Sequence, residues 1–298
     1  MSRIRIGTRG SALALWQAEH VKARLEALGH EVSLRVITTT GDLMQDRRLE
    51  SVGGKGVFLK EIEEALVARE VDLAVHSLKD VPTALPAGLV LSALLERADP
   101  RDALISSGPR LAELGAGASV GTTSLRRRAL VASLRPDLAL QDLRGNVDTR
   151  LRRLREGRFD AILLAMAGLV RLGRAGEVTE ALDPRRFVPA PGQGAIALEC
   201  REDDPVVRDA VAPLDHPATA RAVTAERTFL AALGGGCNVP LGAHAFASGS
   251  GLELVAFVAE ADGRAMLRAE RHGDDPAALG GAVADELLAQ GARALMGG

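Results

Sequence analysis

Three basic loops stand out among the residues that could carry chemistry. Arg9 lies in the segment TRGS, Arg126 and Arg127 in GTTSLRRR, and Arg144 and Arg150 in LRGNVDTRL. Guanidinium groups bind carboxylates and phosphates through paired hydrogen bonds, and a helix N-terminus adds free N–H groups for an anion. Three such loops favour a ligand with several carboxylates. Phosphates stay possible, but the chain has no P-loop or GxGxxG pattern.

Each of these loops also has an ordinary structural explanation. An arginine that pairs with a neighbouring acid would account for Arg9, and a solvated basic face would account for Arg126–Arg128. Cations in the first turn of a helix oppose its dipole, so SLRRR indicates that anions come close. Of the 37 basic residues only four are lysines, and coding bias is enough to explain that excess of arginine.

A lysine–aspartate pair and a cysteine add further candidates. Lys79 and Asp80 follow an apolar strand in the segment HSLKD. The two residues could form a plain ion pair, or Asp80 could serve as a general acid or base. Lys55 lies in the glycine loop VGGKG. Cys237 follows three glycines in GGGCNVP, which favours a chemical role over a loosely packed structural thiol, whereas Cys200 lies in an apolar strand that is typical of an inert buried thiol.

The elements that must position these residues alternate between strand and helix patterns, which predicts mostly parallel sheets. Ligands bind beyond the carboxyl ends of strands in such sheets, where these loops lie. Strands are predicted at 3–7, 31–38, 71–76, 102–106, 119–122, 138–143, 159–165, 195–200, 242–246 and 252–259, and helices at 12–28, 57–69, 124–134, 147–155, 219–233 and 277–295.

Composition narrows the class of protein. The chain has 298 residues, 47% of them hydrophobic, which is enough for two or three domains. Its net charge of −2 argues against a general nucleic-acid binder. No signal peptide, membrane span, disulfide framework or metal-ligand spacing is apparent, so we expect a cytoplasmic enzyme without a metal.

Ten segments taken together resemble the porphobilinogen deaminase family, also called hydroxymethylbilane synthases. They are IGTRGSALALWQA, TTTGD, VGGKGVFLKEIE, DLAVHSLKDVP, ERADPRDA, VGTTSLRRR, LRGNVDTRL, DAILLAMAGLVRLG, PAPGQGAIALECR and AERTFLAALGGGCNVPLG. The resemblance implies an α/β fold of three domains: 1–95 with 190–214, then 96–189, then 215–298. The first two would be like the halves of a type II periplasmic binding protein, with the active-site cleft between them and helices on both faces of mostly parallel sheets. The third would be a small α/β domain with an open antiparallel sheet that carries Cys237.

The resemblance also implies a reaction. Cys237 would hold a dipyrromethane cofactor through a thioether, and four porphobilinogens would be added with loss of ammonia before water releases the linear tetrapyrrole. The implied catalytic residues are Asp80, Arg9, Lys79, Arg144 and Arg150. The implied cofactor ligands are Cys237, Asp80, Lys79, Ser77, Thr122, Ser124, Arg126 and Arg127, and the implied substrate ligands are Arg9, Ser11, Lys55, Arg144, Arg150, Arg171 and Gln193, with Asp42 as a supporting residue.

Two alternatives stay open at this point. One is a binding protein for a small carboxylate without catalysis, and the other is an enzyme that uses a bare Cys237 nucleophile on an unrelated substrate. We also expect a monomer that binds neither nucleic acid nor membrane. The segment 41–56, rich in glycine and charge, is a candidate lid.

Overall fold

The computed structural model describes residues 1–40, 59–234 and 239–296. The predicted lid, Asp42, Lys55 and Cys237 lie outside these residues. The chain forms two compact units, Met1–Ala98 with Gly194–Ala220 and Asp99–Gln193 with Arg221–Gly298. The three predicted domains and their boundaries stay a prediction.

The described residues form strands β1 to β13 and helices α1 to α9. The strands are β1 (Arg3–Thr8), β2 (Glu31–Val36), β3 (Leu73–Ser77), β4 (Leu89–Leu94), β5 (Asp102–Ser106), β6 (Ser119–Gly121), β7 (Ala139–Gln141), β8 (Ala161–Ala165), β9 (Glu180–Ala181), β10 (Ile196–Arg201), β11 (Leu241–Ser248), β12 (Gly251–Ala259) and β13 (Met266–Gly273). The helices are α1 (Ala12–Ala27), α2 (Lys60–Val67), α3 (Leu125–Leu134), α4 (Val147–Arg155), α5 (Met166–Arg171), α6 (Pro205–Val211), α7 (Pro217–Ala232), α8 (Pro276–Ala289) and α9 (Ala292–Leu295).

The sheet of the first unit has the strand order β2-β1-β3-β10-β4. Strands β1, β2 and β3 pair in parallel, and β10 pairs with β3 and β4 in antiparallel fashion. Successive residues of β3 face opposite sides: Val75 packs in the core that contains Val21 of α1, and Ala74 packs against Leu66 of α2. The sheet is therefore covered by helices on both faces, as predicted.

The second unit contains a sheet of the same plan, ordered β7-β6-β8-β5-β9. Strand β6 pairs in parallel with β7 and β8, and β5 pairs in antiparallel fashion with β8 and β9. Leu163 shares a core with Leu130 of α3, whereas Ile162 shares a core with Leu151 of α4. This sheet is likewise covered on both faces.

A third, smaller sheet of three antiparallel strands, β11-β12-β13, completes the second unit. Leu254 of this sheet packs with Phe229 of α7 and Val283 of α8. The predicted α/β class with two mostly parallel sheets and a small antiparallel sheet is confirmed. Sequence patterns overlooked β4, β9, β13, α5 and α6, and the predicted final helix is divided at Gly291, whose φ of 97° favours glycine. No helix among the described residues is both long and apolar enough to cross a membrane.

Candidate active site

In the first unit, two predicted site loops lie at the same edge of the sheet. The register pairs Ile6 with Leu73 in parallel, so the residues that follow β1 and those that follow β3 emerge at the same carboxyl edge. Arg9 and Ser11 belong to the first loop. The side chain of Ser11 caps α1 by accepting the N–H of Ala14 at 3.3 Å.

The second loop of this unit is a single turn of 3-10 helix, Leu78–Asp80. Leu78 is fully buried, and its N–H donates to the carbonyl of Ala195 at 3.0 Å. Asp80 at the end of the turn is exposed, and Lys79 is half-buried. An anchored turn that ends in an exposed carboxylate can present that carboxylate to a ligand with little loss of conformational entropy.

Ser77 precedes this turn and is held by α1. The amide of Gln17, which is only 2% exposed, donates through Nε2 to Ser77 Oγ at 2.9 Å. Sequence analysis did not single out Gln17. A glutamine on the buried face of a predicted amphipathic helix was the available signal, because a buried amide needs a hydrogen-bond partner.

In the second unit, the loops after β6 and β7 are in direct contact. These strands pair in parallel with Gly121 opposite Gln141, and Thr123 Oγ1 donates to the carbonyl of Leu143 at 3.3 Å. Thr122 is buried, and its Oγ1 accepts the N–H of Ser124 at 3.2 Å. Ser124 in turn caps α3 by accepting the N–H of Arg127. The two predicted basic loops therefore form one edge.

Arg144 and Arg150 flank a turn that only glycine fits. Gly145 has a φ of +102°, and a Cβ atom there would lie 2.8 Å from Cγ2 of Thr149. Arg150 Nε donates to the Gly145 carbonyl at 2.7 Å, and Arg153 donates to the Arg144 carbonyl at 3.3 Å. The second contact engages Arg153 with the same loop.

Arg126 and Arg127 are not a solvated basic face. They are only 5% and 6% exposed, and both bind the fully buried carboxylate of Asp102. Gln193 Nε2 donates to the same carboxylate at 3.1 Å. The anion that the helix start was predicted to need is therefore supplied, in this structure, by the chain itself.

Asp102 is the main residue that sequence analysis missed at this site. Burial by itself would raise the pKa of Asp102, but the two arginines outweigh it and hold that pKa below its usual range. Burial lowers the pKa of Arg127 and also lowers that of Arg171, to about 10. The sequence did contain a signal for this residue: Asp102 is an acid at the start of the otherwise apolar strand DALIS, and a buried charge needs a partner.

Of the two cysteines, Cys200 lies among the described residues and Cys237 does not. Cys200 is fully buried in β10, and its sulfur lies 2.7 Å from Ser92 Oγ. Burial raises the pKa of the Cys200 thiol, which disfavours the reactive thiolate. The predicted burial of Cys200 is confirmed, and its inertness stays a prediction.

One group among the described residues could hold a metal ion by distance alone: Glu253, Glu270 and His272, with ligand atoms within 4.8 Å of one another. Arg185 already donates to both oxygens of Glu253, at 2.6 and 2.5 Å. Since a guanidinium fills the acceptor sites of this carboxylate, the group is better explained as an ion-pair network than as a metal centre.

Comparisons with known proteins place the chain in a family. The family model described as "Porphobilinogen deaminase, dipyromethane cofactor binding domain" matches residues 4–209, and "Porphobilinogen deaminase, C-terminal domain" matches residues 220–289. Proteins named porphobilinogen deaminase from Syntrophobacter fumaroxidans and a Roseiflexus species are each 53% identical over 298 residues, covering 98% of this chain and 96% and 98% of those proteins. The protein of that name from Geobacter sulfurreducens is 50% identical over 300 residues, covering 99% of this chain and 94% of the relative.

Among solved structures, the chain is similar to a periplasmic substrate-binding protein of an ABC transporter from Coxiella burnetii, with 16% identity and a TM-score of 0.42 over 73% of this chain and 94% of that one. The VFT2 domain of Bordetella pertussis BvgS matches at 14% identity and a TM-score of 0.42, over 70% of this chain and 85% of that one. These likenesses are too weak to add to the argument. Porphobilinogen deaminases are transferases that join four porphobilinogens head to tail on a dipyrromethane primer, with loss of ammonia, and release linear hydroxymethylbilane by hydrolysis. The two family models and the relatives that are 50% and 53% identical show that the chain belongs to this family.

Proposed function

We propose that this chain carries out the family's reaction with Cys237 as the attachment point of the dipyrromethane and Asp80 as the acid at the reacting centre. The observation that supports this most directly is the turn Leu78–Asp80. Its buried first residue is anchored to the backbone, and its last residue is an exposed carboxylate at the carboxyl edge of a parallel sheet.

The donor set of each unit by itself suits a ligand rich in carboxylates. When bound, the dipyrromethane supplies the terminal pyrrole to which the first substrate is joined. Arg9 and Ser11 in the first unit, and Arg144, Arg150 and Arg171 in the second, would bind acetate and propionate groups of substrate and growing product. Lys55 and Asp42 are further candidates from the family resemblance.

Asp80 would accept hydrogen bonds from pyrrole N–H groups. In its protonated form Asp80 would pass a proton to the departing amine, and the carboxylate left behind would stabilise the positive charge that develops on the substrate as ammonia leaves. Lys79, next to it on the same turn, would contribute a positive charge for a carboxylate of the ligand. Ser77, held by Gln17, would fix the entry to this turn.

Cys200 is unsuited to attachment, which supports Cys237 by elimination between the two cysteines of the chain. Its sulfur is buried within β10 with no exposed surface, and burial raises its pKa. A bulky pyrrole adduct at Cys200 would have to displace the packed core around it, at a cost of several kcal/mol. In the sequence, Cys237 comes five residues after the end of α7 at Ala232.

The test is the mass of the purified full-length protein, with peptide mapping. A dipyrromethane adduct on the Cys237 peptide is expected in the wild type and in Cys200→Ala, and it should be absent from Cys237→Ser. Asp80→Asn should retain the adduct but lose most ammonia release from porphobilinogen, with Asp262→Asn as the exposed control. An adduct on Cys200, or an unmodified wild type, would refute the attachment. Equal loss of adduct and turnover in Asp80→Asn would make Asp80 structural.

The protein would act on porphobilinogen as a monomer in the cytoplasm, without nucleic acid or membrane as a partner. The near-neutral balance of 37 basic and 39 acidic residues supports the absence of a nucleic-acid partner. Light scattering of the purified protein tests the monomer, and a mass near twice 31.2 kDa would refute it.

A further inference from the structure

A single buried carboxylate binds two neighbouring arginines at the start of α3. Arg126 Nη1 lies 2.7 Å from Asp102 Oδ2, and Arg126 Nη2 lies 3.1 Å from Asp102 Oδ1. Arg127 Nε donates to Asp102 Oδ1 at 2.9 Å. Since the paired donors of Arg126 match the two oxygens of the carboxylate, its orientation is fixed as well as its distance.

Backbone carbonyls from two other segments complete the network. Arg126 Nη1 donates to the Val188 carbonyl at 2.7 Å, and Arg127 Nη1 donates to the Leu163 carbonyl at 2.9 Å. The Asp102 carboxylate is held from a further side by Gln193, whose amide nitrogen also donates to the Pro100 carbonyl at 2.8 Å. The guanidiniums are therefore positioned by protein contacts alone.

The charge balance of this network is incomplete. Two guanidiniums and one carboxylate leave a net charge of +1, and all three side chains are at least nine-tenths buried. The N-terminus of α3, a helix of ten residues, adds a partial positive charge at the same place. An unbalanced buried charge is costly, so the network is suited to receive one further negative charge.

We propose that Asp102 is a positioning residue that holds Arg126 and Arg127 as one unit for a single carboxylate of the dipyrromethane. The inference rests on the proposed role of these arginines as cofactor ligands. Gln193 acts through Asp102, because its amide nitrogen is engaged with that carboxylate and with backbone carbonyls. Before the cofactor binds, Asp102 is also the counter-ion that allows two adjacent arginines to be buried.

This role differs from simple charge attraction in a way that can be measured. Replacing Asp102 by asparagine raises the network's charge from +1 to +2, so attraction alone would strengthen the binding of an anionic cofactor. Positioning predicts the opposite, because the guanidiniums lose the acceptor that orients them. Asp102→Glu, which keeps the charge and the two oxygens, should restore part of the binding.

The matched control is Asp72, which also lies between two arginines but in the first unit. It binds Arg5 at 2.8 Å and Arg201 at 3.3 Å, and its side chain is 14% exposed. Asp72 precedes β3, whereas the proposed ligands Ser77, Lys79 and Asp80 lie at the other end of that strand. Asp72→Asn therefore removes a carboxylate that also binds two arginines, at the strand end away from those ligands.

The experiment measures the fraction of folded full-length protein that carries the dipyrromethane adduct, by intact mass. Asp102→Asn should carry about tenfold less adduct than Asp72→Asn, the loss expected for one charge-assisted hydrogen bond, with partial recovery in Asp102→Glu. If Asp102→Asn does not fold, Gln193→Met, which keeps all three charges, should still show reduced occupancy. Equal occupancy in Asp102→Asn and Asp72→Asn, or full occupancy in Gln193→Met, would overturn the inference. A wild type without adduct would instead overturn the proposed function.

Discussion

Glu226 on α7 provides the sharpest test of how the second unit is held together. Its side chain is completely buried, and its carboxylate accepts hydrogen bonds from Gly192, Ala245 and His244, among the residues that the structure describes. Oε2 accepts the N–H of Gly192 at 2.7 Å, and Oε1 accepts the N–H of Ala245 at 2.9 Å and lies 3.1 Å from His244 Nδ1. One carboxylate thus joins α7, which precedes Cys237 in the chain, to the third sheet and to the PAPGQG segment.

Glu226→Gln changes one oxygen of this carboxylate into a donor and leaves its shape unchanged. In the more favourable of the two amide orientations, the amide oxygen still accepts hydrogen bonds from the N–H of Ala245 and from His244. The NH2 group then faces the N–H of Gly192, which is also a donor. A buried donor without an acceptor costs about 1–3 kcal/mol, and weakening the remaining charge-assisted bonds costs about 1 kcal/mol more. We therefore expect a loss of about 3 kcal/mol in the free energy of unfolding, or about 5 °C in Tm for a chain of 298 residues.

The assay is chemical and thermal unfolding of the full chain, followed by circular dichroism. Glu286→Gln is the matched control, because Glu286 accepts from Arg271 at 2.5 Å on the surface, where an ion pair contributes at most about 1 kcal/mol. A Glu226→Gln variant as stable as Glu286→Gln would show that Glu226 is not the buried link described above.

Two further predictions concern backbone strain and pH. Gly194→Ala should lower the free energy of unfolding by about 3 kcal/mol, because φ at Gly194 is +92° and the new Cβ would lie 2.5 Å from the Ala98 carbonyl oxygen. Gly157→Ala is the control: φ is +71° there but the space around it is open, so the free energy of unfolding should fall by only about 1 kcal/mol. Arg185 lowers the pKa of Glu253 to about 2, so this carboxylate stabilises the fold above its unfolded pKa of 4.5, and that stability is lost as pH falls towards 2. Glu253→Gln should therefore lower the free energy of unfolding by only about 1 kcal/mol, because Arg185 is half-exposed, and this difference from the wild type should vanish in acid. Equal losses of stability in the two glycine variants would contradict the explanation from backbone strain. A Glu253→Gln difference that does not change with pH would contradict the explanation from the pKa.

Local patterns predicted most elements that carry the candidate site. Ser11, Ser124 and Asn146 each cap a helix through the side chain, and these caps fall within the motifs that bear the arginines. Such contacts span three residues, so they can be inferred from the chain alone. The placement of Asp80 after β3, and of Arg144 after β7, follows from the alternation of strand and helix in the same way.

Local sequence patterns did not predict side-chain contacts between residues that are distant in the chain. Asp102 and Arg126 are 24 residues apart, and Glu226 and Gly192 are 34 apart, so no helical or strand period connects them. The edge strand β13 was overlooked because four of its eight residues are charged or polar, and all four are exposed. Its backbone pairs with β12 all the same, and cross-strand contacts, more than residue propensity, determine such a strand.

The sequence by itself determined which residue types are available and at which sheet edges they occur: an exposed acid after β3, basic loops after β6 and β7, and a cysteine in a glycine loop. Only the tertiary structure decided which charges are already paired. Arg126 and Arg127 looked like open anion ligands in the chain, yet folding brings them onto the buried carboxylate of Asp102. The physical reason is that burial makes an unpaired charge too costly, so the partner is selected by the packing of distant segments and leaves no local mark in the sequence.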